Sequence, residues 1–227
     1  MDPSRDELIA QVCHELRAPL TPIKGYLHTL LRRDEELGPE ERRHIYEVLL
    51  REEERMEDLV RDLLHATTLD HQEPATATDT VDWPTLVADQ VDLYRHSDLS
   101  REITAEVATE VGTVIADAGL ASSVLANLLT NALKHSPAGT PIAVRASLDG
   151  RSVVTTVSDR GPGVRAEDRD RIFDRFVQVR GSGGRAAAGV GLGLYLARRA
   201  VEAMGGELWC ADAPDGGAAF SFTLPAG

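Results

Sequence analysis

The chain has few aromatic residues, few cysteines, a deficit of positive charge and no long apolar run. Aromatics make up 4% of its 227 residues, so a core must come mostly from Leu, Val, Ala and Ile. The two cysteines, Cys13 and Cys210, stand far apart with no CxxC, which argues against a disulfide framework or a structural zinc site. Cys13, beside His14, reads as a small residue on a helix. No stretch reaches the roughly 18 apolar residues of a membrane-spanning helix, and no signal peptide is visible. Lys and Arg number 24 against 37 Asp and Glu, a net charge of −13. That balance argues against nucleic acid or an anionic membrane surface as a partner. The P-loop pattern GxxxxGK is absent, as is a GxGxxG after a first strand. HELRA lacks the second histidine that HExxH would need at position 18. The histidines at 28, 44, 65, 71 and 96 form no ligand spacing.

The length suits one large domain or two small ones, and 42% hydrophobic residues suffice for a globular core. The start MDPSRDEL reads as the first turn of a helix, with Ser4 as N-cap and Glu7 completing a capping box. From this start we expect a core excised from a longer protein, with any preceding domain lost upstream. Leu8, Val12, Leu16, Leu20, Ile23, Leu27, Leu30 and Leu31 recur at spacings of three and four, the mark of an amphipathic helix. It should end near Arg33. After a polar turn at 34–38, Pro39 suits the first turn of a second helix. That helix is striped by Ile45, Val48, Leu49, Met56, Leu59, Val60, Leu63 and Leu64. Two such helices form an antiparallel hairpin. A single hairpin cannot bury both stripes, so a homodimer through residues 4–70, forming a four-helix bundle, is expected. The alternative is a hairpin packed on the rest of its own chain.

Residues 71–80, polar and holding Pro74, read as a linker. Beyond them the pattern alternates. WPTLVADQVDLYR, GLASSVLANLLTNALKHS and GLYLARRAVEAMG are helical. ITAEVATE, TVIAD, IAVRASLD, SVVTTVSD, GELWCAD and AAFSFTLP read as strands. The fold class is therefore α+β with two domains. Residues 1–70 form a helical hairpin and 81–227 an α/β sandwich with helices layered on one sheet.

Five short strings carry chemistry. In HELRAPLTPIKGY, 14–26, a histidine neighbours a carboxylate. A phosphoryl acceptor needs one ring nitrogen with a free lone pair and the other holding its proton, which a carboxylate can secure. Pro19 and Pro22 remove the donors for the carbonyls of Glu15 and Ala18, which should bend the helix one turn beyond His14. In NLLTNALKH, 127–135, Asn127 and Asn131 lie four apart on one helix face. Their carboxamide oxygens are hard, neutral ligands suited to Mg²⁺, and Lys134 can meet phosphate charge. In DRGPG, 159–163, Asp159 ends a strand and can accept from an adenine amino group, while Gly161 and Gly163 allow close backbone approach. In RIFDRF, 171–176, Phe173 and Phe176 can anchor one end of a lid at 177–189. Arg175 can reach phosphate, the histidine helix or neither. In GVGLGL, 189–194, Gly189, Gly191 and Gly193 open a helix, with Leu194 beside them, where backbone N–H groups can approach phosphate.

All five in this order resemble the H, N, G1, F and G2 boxes of sensor histidine kinases of two-component signalling, over roughly Leu8 to Leu224. The resemblance implies a dimerisation and phosphotransfer hairpin followed by an ATP-binding domain of the Bergerat type, working in the cytoplasm. It implies ATP and Mg²⁺ as cofactors, His14 Nε2 as nucleophile, and Glu15 as its acid–base partner. Asn131 would be the direct metal ligand with Asn127 assisting, and His135 would contact the nucleotide where many relatives have Tyr. The phosphoryl group would pass to an aspartate on a response-regulator receiver domain. Where the family often has Thr or Asn four residues after the histidine, this chain has Ala18, which implies weak phosphatase activity towards that receiver.

Two rivals stand beside this reading. One is an ATPase of the gyrase–chaperone type. Those carry Glu where this chain has Asn127, and Asn is not a base near neutral pH. A serine kinase meets the same objection. The other rival is a nucleotide-binding or phosphotransfer scaffold that does not phosphorylate itself.

Overall fold

The computed structural model describes residues 3–71, 79–97, 100–177 and 191–227, and within these all side chains except those of 3–15, 34, 58, 61–71 and 97. The chain divides into two compact units, Met1–His65 and Ala66–Gly227.

The first unit is two long helices, α1 (Pro3–Arg33) and α2 (Pro39–His71), joined through a 3-10 turn at Asp34–Glu36. Helix α1 begins at Pro3, so Ser4 lies inside the first turn and is not its N-cap. Proline's fixed φ already suits a first helical turn. The helix continues through Pro19 and Pro22. At the start of α2, the Gly38 N–H donates to Glu41 Oε2 at 2.9 Å, the reciprocal half of a capping box. Ile45 and Leu59 are buried, but Leu20, Leu27, Leu31, Tyr46, Leu50 and Val60 are exposed, Leu31 at 83% and Leu50 at 61%. One hairpin therefore leaves much of its apolar surface in water.

In the second unit the chain runs β1 (Thr80–Asp82), α3 (Trp83–Ser97), β2 (Ile103–Val107), β3 (Thr113–Ile115) and α4 (Ala118–His135). Then follow β4 (Ile142–Asp149), β5 (Ser152–Ser158), α5 (Gly193–Ala203), β6 (Leu208–Asp212) and β7 (Ala218–Pro225). Five strands form one sheet in the order β2-β4-β5-β7-β6. The β2–β4 pair is parallel and the others antiparallel. The short β1 and β3 pair separately, Thr80 opposite Ile115. The reading of 71–80 as linker thus overlaps α2 at His71 and β1 at Thr80, while its residues 72–78 lie outside the described residues. Local polarity hid β1, because its partner comes more than thirty residues later.

Strand β5 alternates strictly: Val153, Thr155 and Val157 are buried and the residues between them are not, the period of a strand with one covered face. Its buried hydroxyl is satisfied, since Trp83 Nε1 donates to Thr155 Oγ1 at 2.9 Å, and Trp83 meets Phe222 edge-on at 5.9 Å. Helix α4 buries Ala121, Val124, Leu125, Leu128, Leu129 and Ala132, a stripe at spacings of three and four. Both its ends are fastened. Asp117 caps the first turn, accepting from the Leu120 N–H at 2.9 Å. At the other end the Ser136 hydroxyl donates to the Ala132 carbonyl, and Arg101 Nη2 donates to the Ser136 carbonyl. Among the described residues no helix is long and apolar enough to cross a membrane.

Asp117→Ala should lower stability by about 1 kcal/mol, the usual worth of an N-cap. Leu128→Ala should cost about 2–5 kcal/mol by opening a cavity. Urea denaturation checks both, as lower midpoints at unchanged m-value.

Candidate functional site

The site is built where α4, the loop after β5 and the first turn of α5 meet. Asn127 and Asn131 are half-buried on the same face of α4. A Cβ on Gly193 would lie 3.3 Å from Asn127 Oδ1, so the absence of a side chain there lets α5 begin against the Asn127 carboxamide. Lys134 and His135 close α4 and are exposed. Desolvation by the surrounding protein pulls the His135 pKa below its ordinary value, helped by Lys134 and opposed by Asp159. The ring is thereby biased towards neutrality.

Asp159, at the end of β5, is 4% exposed. Its Oδ1 accepts from the Gly161 N–H at 2.7 Å and the Ala218 N–H at 3.3 Å. Its own N–H donates to the Ala218 carbonyl at 2.9 Å. Oδ2 takes no hydrogen bond among the described residues and is not among the fully buried unpaired atoms, so it is an acceptor that a ligand's N–H can reach. The two glycines that follow are sterically required. A Cβ on Gly161 would sit 2.8 Å from the His135 carbonyl oxygen and 2.9 Å from Asp159 Oδ1. Gly163 has φ of 71° and faces the Gly217 carbonyl, a conformation that only glycine adopts without strain.

Phe173 is buried, edge-on to Phe220 at 6.4 Å, with the Arg198 guanidinium 5.6 Å from its ring. Phe176 has φ of 63°, and its N–H donates to the Gly191 carbonyl at 2.9 Å. Gly191 has φ of 72°, and a Cβ there would lie 2.7 Å from the Val177 carbonyl oxygen. Leu192 caps α5 with no side-chain hydrogen bond, unlike Asp117 on α4. Among the described residues the Leu196 N–H closes the first turn on the Leu192 carbonyl, and the N–H groups of Gly193 and Leu194 ahead of it are at the end of the helix where a ligand acceptor can be met. Leu194 is half-buried in this turn. Arg175, expected near phosphate or the histidine helix, has Nη2 donating to the Tyr195 hydroxyl at 2.6 Å and its Cζ 4.7 Å from the Tyr195 ring centroid. Tyr195 escaped the sequence reading. Its only signal was an aromatic ring following directly on the glycine run.

The structure therefore brings together Asn127, Asn131, His135, Asp159, Gly161, Gly191 and Gly193. His14 and Glu15 lie on α1, but their side chains are outside the described residues, as are Gly189 and all of the expected lid except Val177. Among the described residues no three His, Cys, Asp or Glu could hold a metal ion. A divalent cation here would need carboxamide oxygens together with ligand phosphates, a donor set that fits Mg²⁺. Burial pushes the Cys210 thiol up to about 12, so it stays protonated and unreactive.

Two family models match. Residues 4–72 match the His Kinase A (phospho-acceptor) domain. Residues 116–227 match the histidine kinase-, DNA gyrase B- and HSP90-like ATPase. The sensor histidine kinase WalK of Bacillus subtilis is 31% identical over 233 residues, covering 99% of this chain but 37% of WalK. The chain thus spans well under half of that relative. Full-length ShkA, solved in complex with AMPPNP, matches 97% of this chain and 46% of its own at TM-score 0.67 and 29% identity. The histidine kinase ThkA, solved with the response regulator protein TrrA, matches 97% of this chain and 61% of its own at TM-score 0.77. Its 24% identity speaks for the fold alone. With a phospho-acceptor domain followed by an ATPase domain, and a curated sensor kinase matched along 99% of this chain, the chain belongs to the sensor histidine kinases of two-component systems.

Proposed function

We propose that this chain binds ATP in its second unit, phosphorylates itself on His14, and passes the phosphoryl group to an aspartate of a response-regulator receiver domain. The observation that carries the reading is the junction in which Gly161 and Gly191 leave no room for a Cβ beside His135 and Val177, and Gly193 leaves only a tight one beside Asn127. That close packing sets the loop carrying the Asp159 carboxylate against one end of α4 at His135 and the start of α5 against Asn127 on the same helix. Asp159 would take the adenine amino group on Oδ2, with Gly161, Gly163 and His135 around the base. Gly189, Gly191, Gly193 and Leu194 would lie along the phosphates, with Lys134 offsetting their charge. Phe173 would anchor the turn beside them. The AMPPNP complex of ShkA supports ATP as the ligand. Asn131, assisted by Asn127, would hold Mg²⁺, which neutralises phosphate charge when bound.

In the reaction, the His14 Nε2 lone pair forms a bond to the γ-phosphorus as the bond to the β–γ bridging oxygen breaks, and ADP leaves. Glu15 holds the Nδ1 proton and stabilises the positive ring. The protein's contribution is mostly positioning and charge compensation. Asn127 cannot serve as a base for water, so ATP is held for the histidine and not hydrolysed.

The working unit is a homodimer through residues 4–70, supported by the exposure of Leu20, Leu27, Leu31 and Leu50. We assign 1–70 to dimerisation and phosphotransfer, 71–80 to the linker and 81–227 to catalysis, in a cytoplasmic setting with no nucleic-acid or membrane contact by these residues. Ala18 is exposed and has no side-chain group to orient water, so receiver dephosphorylation should be weak.

With γ-labelled ATP and Mg²⁺, the chain should take up acid-labile, base-stable label that His14→Gln abolishes. Label persisting in that variant would contradict the assignment. Ala18→Thr should speed loss of phosphate from a phosphorylated receiver, while the unaltered chain stays near the spontaneous rate. Rapid loss with Ala18 in place would overturn the phosphatase proposal.

A further inference from the structure

We infer that Arg175 and Tyr195 form a positioning pair that sets the phosphate-binding end of the site, and that Arg175 acts through the tyrosine ring and not by touching phosphate. The inference rests on the nucleotide reading above.

Two links cross the same gap. One is backbone, the Phe176 N–H on the Gly191 carbonyl. The other is side chain, the Arg175 guanidinium stacked on and hydrogen-bonded to Tyr195. Residues 175 and 176 are adjacent, and so nearly are 191 and 195, since Tyr195 is the third residue of α5. The body of α5 is fixed by burial of Leu196, Ala197, Ala200 and Val201, so these two links act locally. They tie the residues that enter α5 and its first turn to the segment 175–176. Arg175 itself sits two residues beyond Phe173, which is fixed in the core against Phe220 and under Arg198. The rigid core is thereby connected through Phe173, Arg175 and Tyr195 to the first turn of α5. That turn has no side-chain cap of its own, so the Arg175–Tyr195 contact is a side-chain tether at the end of α5 where a cap would otherwise stand. Phe176 holds a left-handed φ of 63°, a conformation that persists only when its surroundings enforce it. Its neighbour's stacking on Tyr195 is one such constraint. Reach matters here: the guanidinium places Nη2 on the hydroxyl while its Cζ stays 4.7 Å from the ring centroid, two contacts from separate atoms that the single nitrogen of an ammonium does not reproduce.

The test is a double-mutant cycle on the full chain, read by calorimetric titration of ATP, ADP and adenosine. Arg175→Ala and Tyr195→Ala should each weaken ATP and ADP about fivefold to tenfold, the scale of one stacked, hydrogen-bonded pair. Adenosine affinity should not change, because Asp159 and Gly161 lie outside the pair. A general loss of fold would weaken all three ligands. The double variant should be no worse than either single one. Tyr195→Phe, which keeps the ring, should recover most of the affinity, and Arg175→Lys should not. Additive losses in the double variant would overturn the inference and assign Arg175 to phosphate directly. Equal loss of adenosine would also overturn it. If the unaltered chain bound no ATP, the nucleotide reading itself would fail, which is a different result from either.

Discussion

The site depends on a close approach of backbones around Asp159. The carboxylate is buried, and one of its oxygens is occupied by N–H groups from Gly161 and Ala218. Those two bonds join the loop after β5 to the start of β7 and leave the second oxygen for a ligand. The same loop runs so near the end of α4 that a methyl group on Gly161 would meet the His135 carbonyl at 2.8 Å. A buried anion would normally be costly. Here backbone donors offset the cost, so the carboxylate can wait in place for a donor from outside.

The rest of the molecule holds that junction steady. Asp117 fixes one end of α4, and Ser136 with Arg101 fixes the other. Thr155, Trp83 and Phe222 tie the sheet to its helical layer. Gly193 brings α5 against Asn127, and Gly191 brings it against Val177. A chain of net charge −13 repels a polyphosphate at long range. The local remedy is Lys134 together with fixed dipoles, the N–H groups at the start of α5 and the carboxamides on α4.

Sequence patterning revealed most of the elements, for reasons that can be named. The strict alternation of SVVTTVS and the three-and-four spacing of Val124, Leu125, Leu128 and Leu129 each reflect one buried face. The glycines at 161, 191 and 193 could be recognised as close-approach residues because their neighbours carried complementary chemistry. Three features could not be read. Strand β1 is three residues long and owes its form to β3, a partner remote in sequence. The helix start at Pro3 competed with a plausible cap at Ser4. Tyr195 looked like an ordinary helical aromatic, because nothing local says that an arginine twenty residues earlier will stack on it. Short-range pattern reports which face is buried. It does not report which side chains meet across a turn.

The central claim is that the Asp159–Gly161–His135 junction is the base-binding end of a nucleotide site. The most direct measurement is calorimetric titration of adenosine into the chain and into Gly161→Ala, with circular dichroism and urea midpoints to show that both are folded. The account predicts measurable adenosine binding by the unaltered chain and at least a roughly tenfold loss in the variant, since the added methyl must displace either the His135 carbonyl or the Asp159 carboxylate. Unchanged adenosine affinity in a folded Gly161→Ala chain would contradict it.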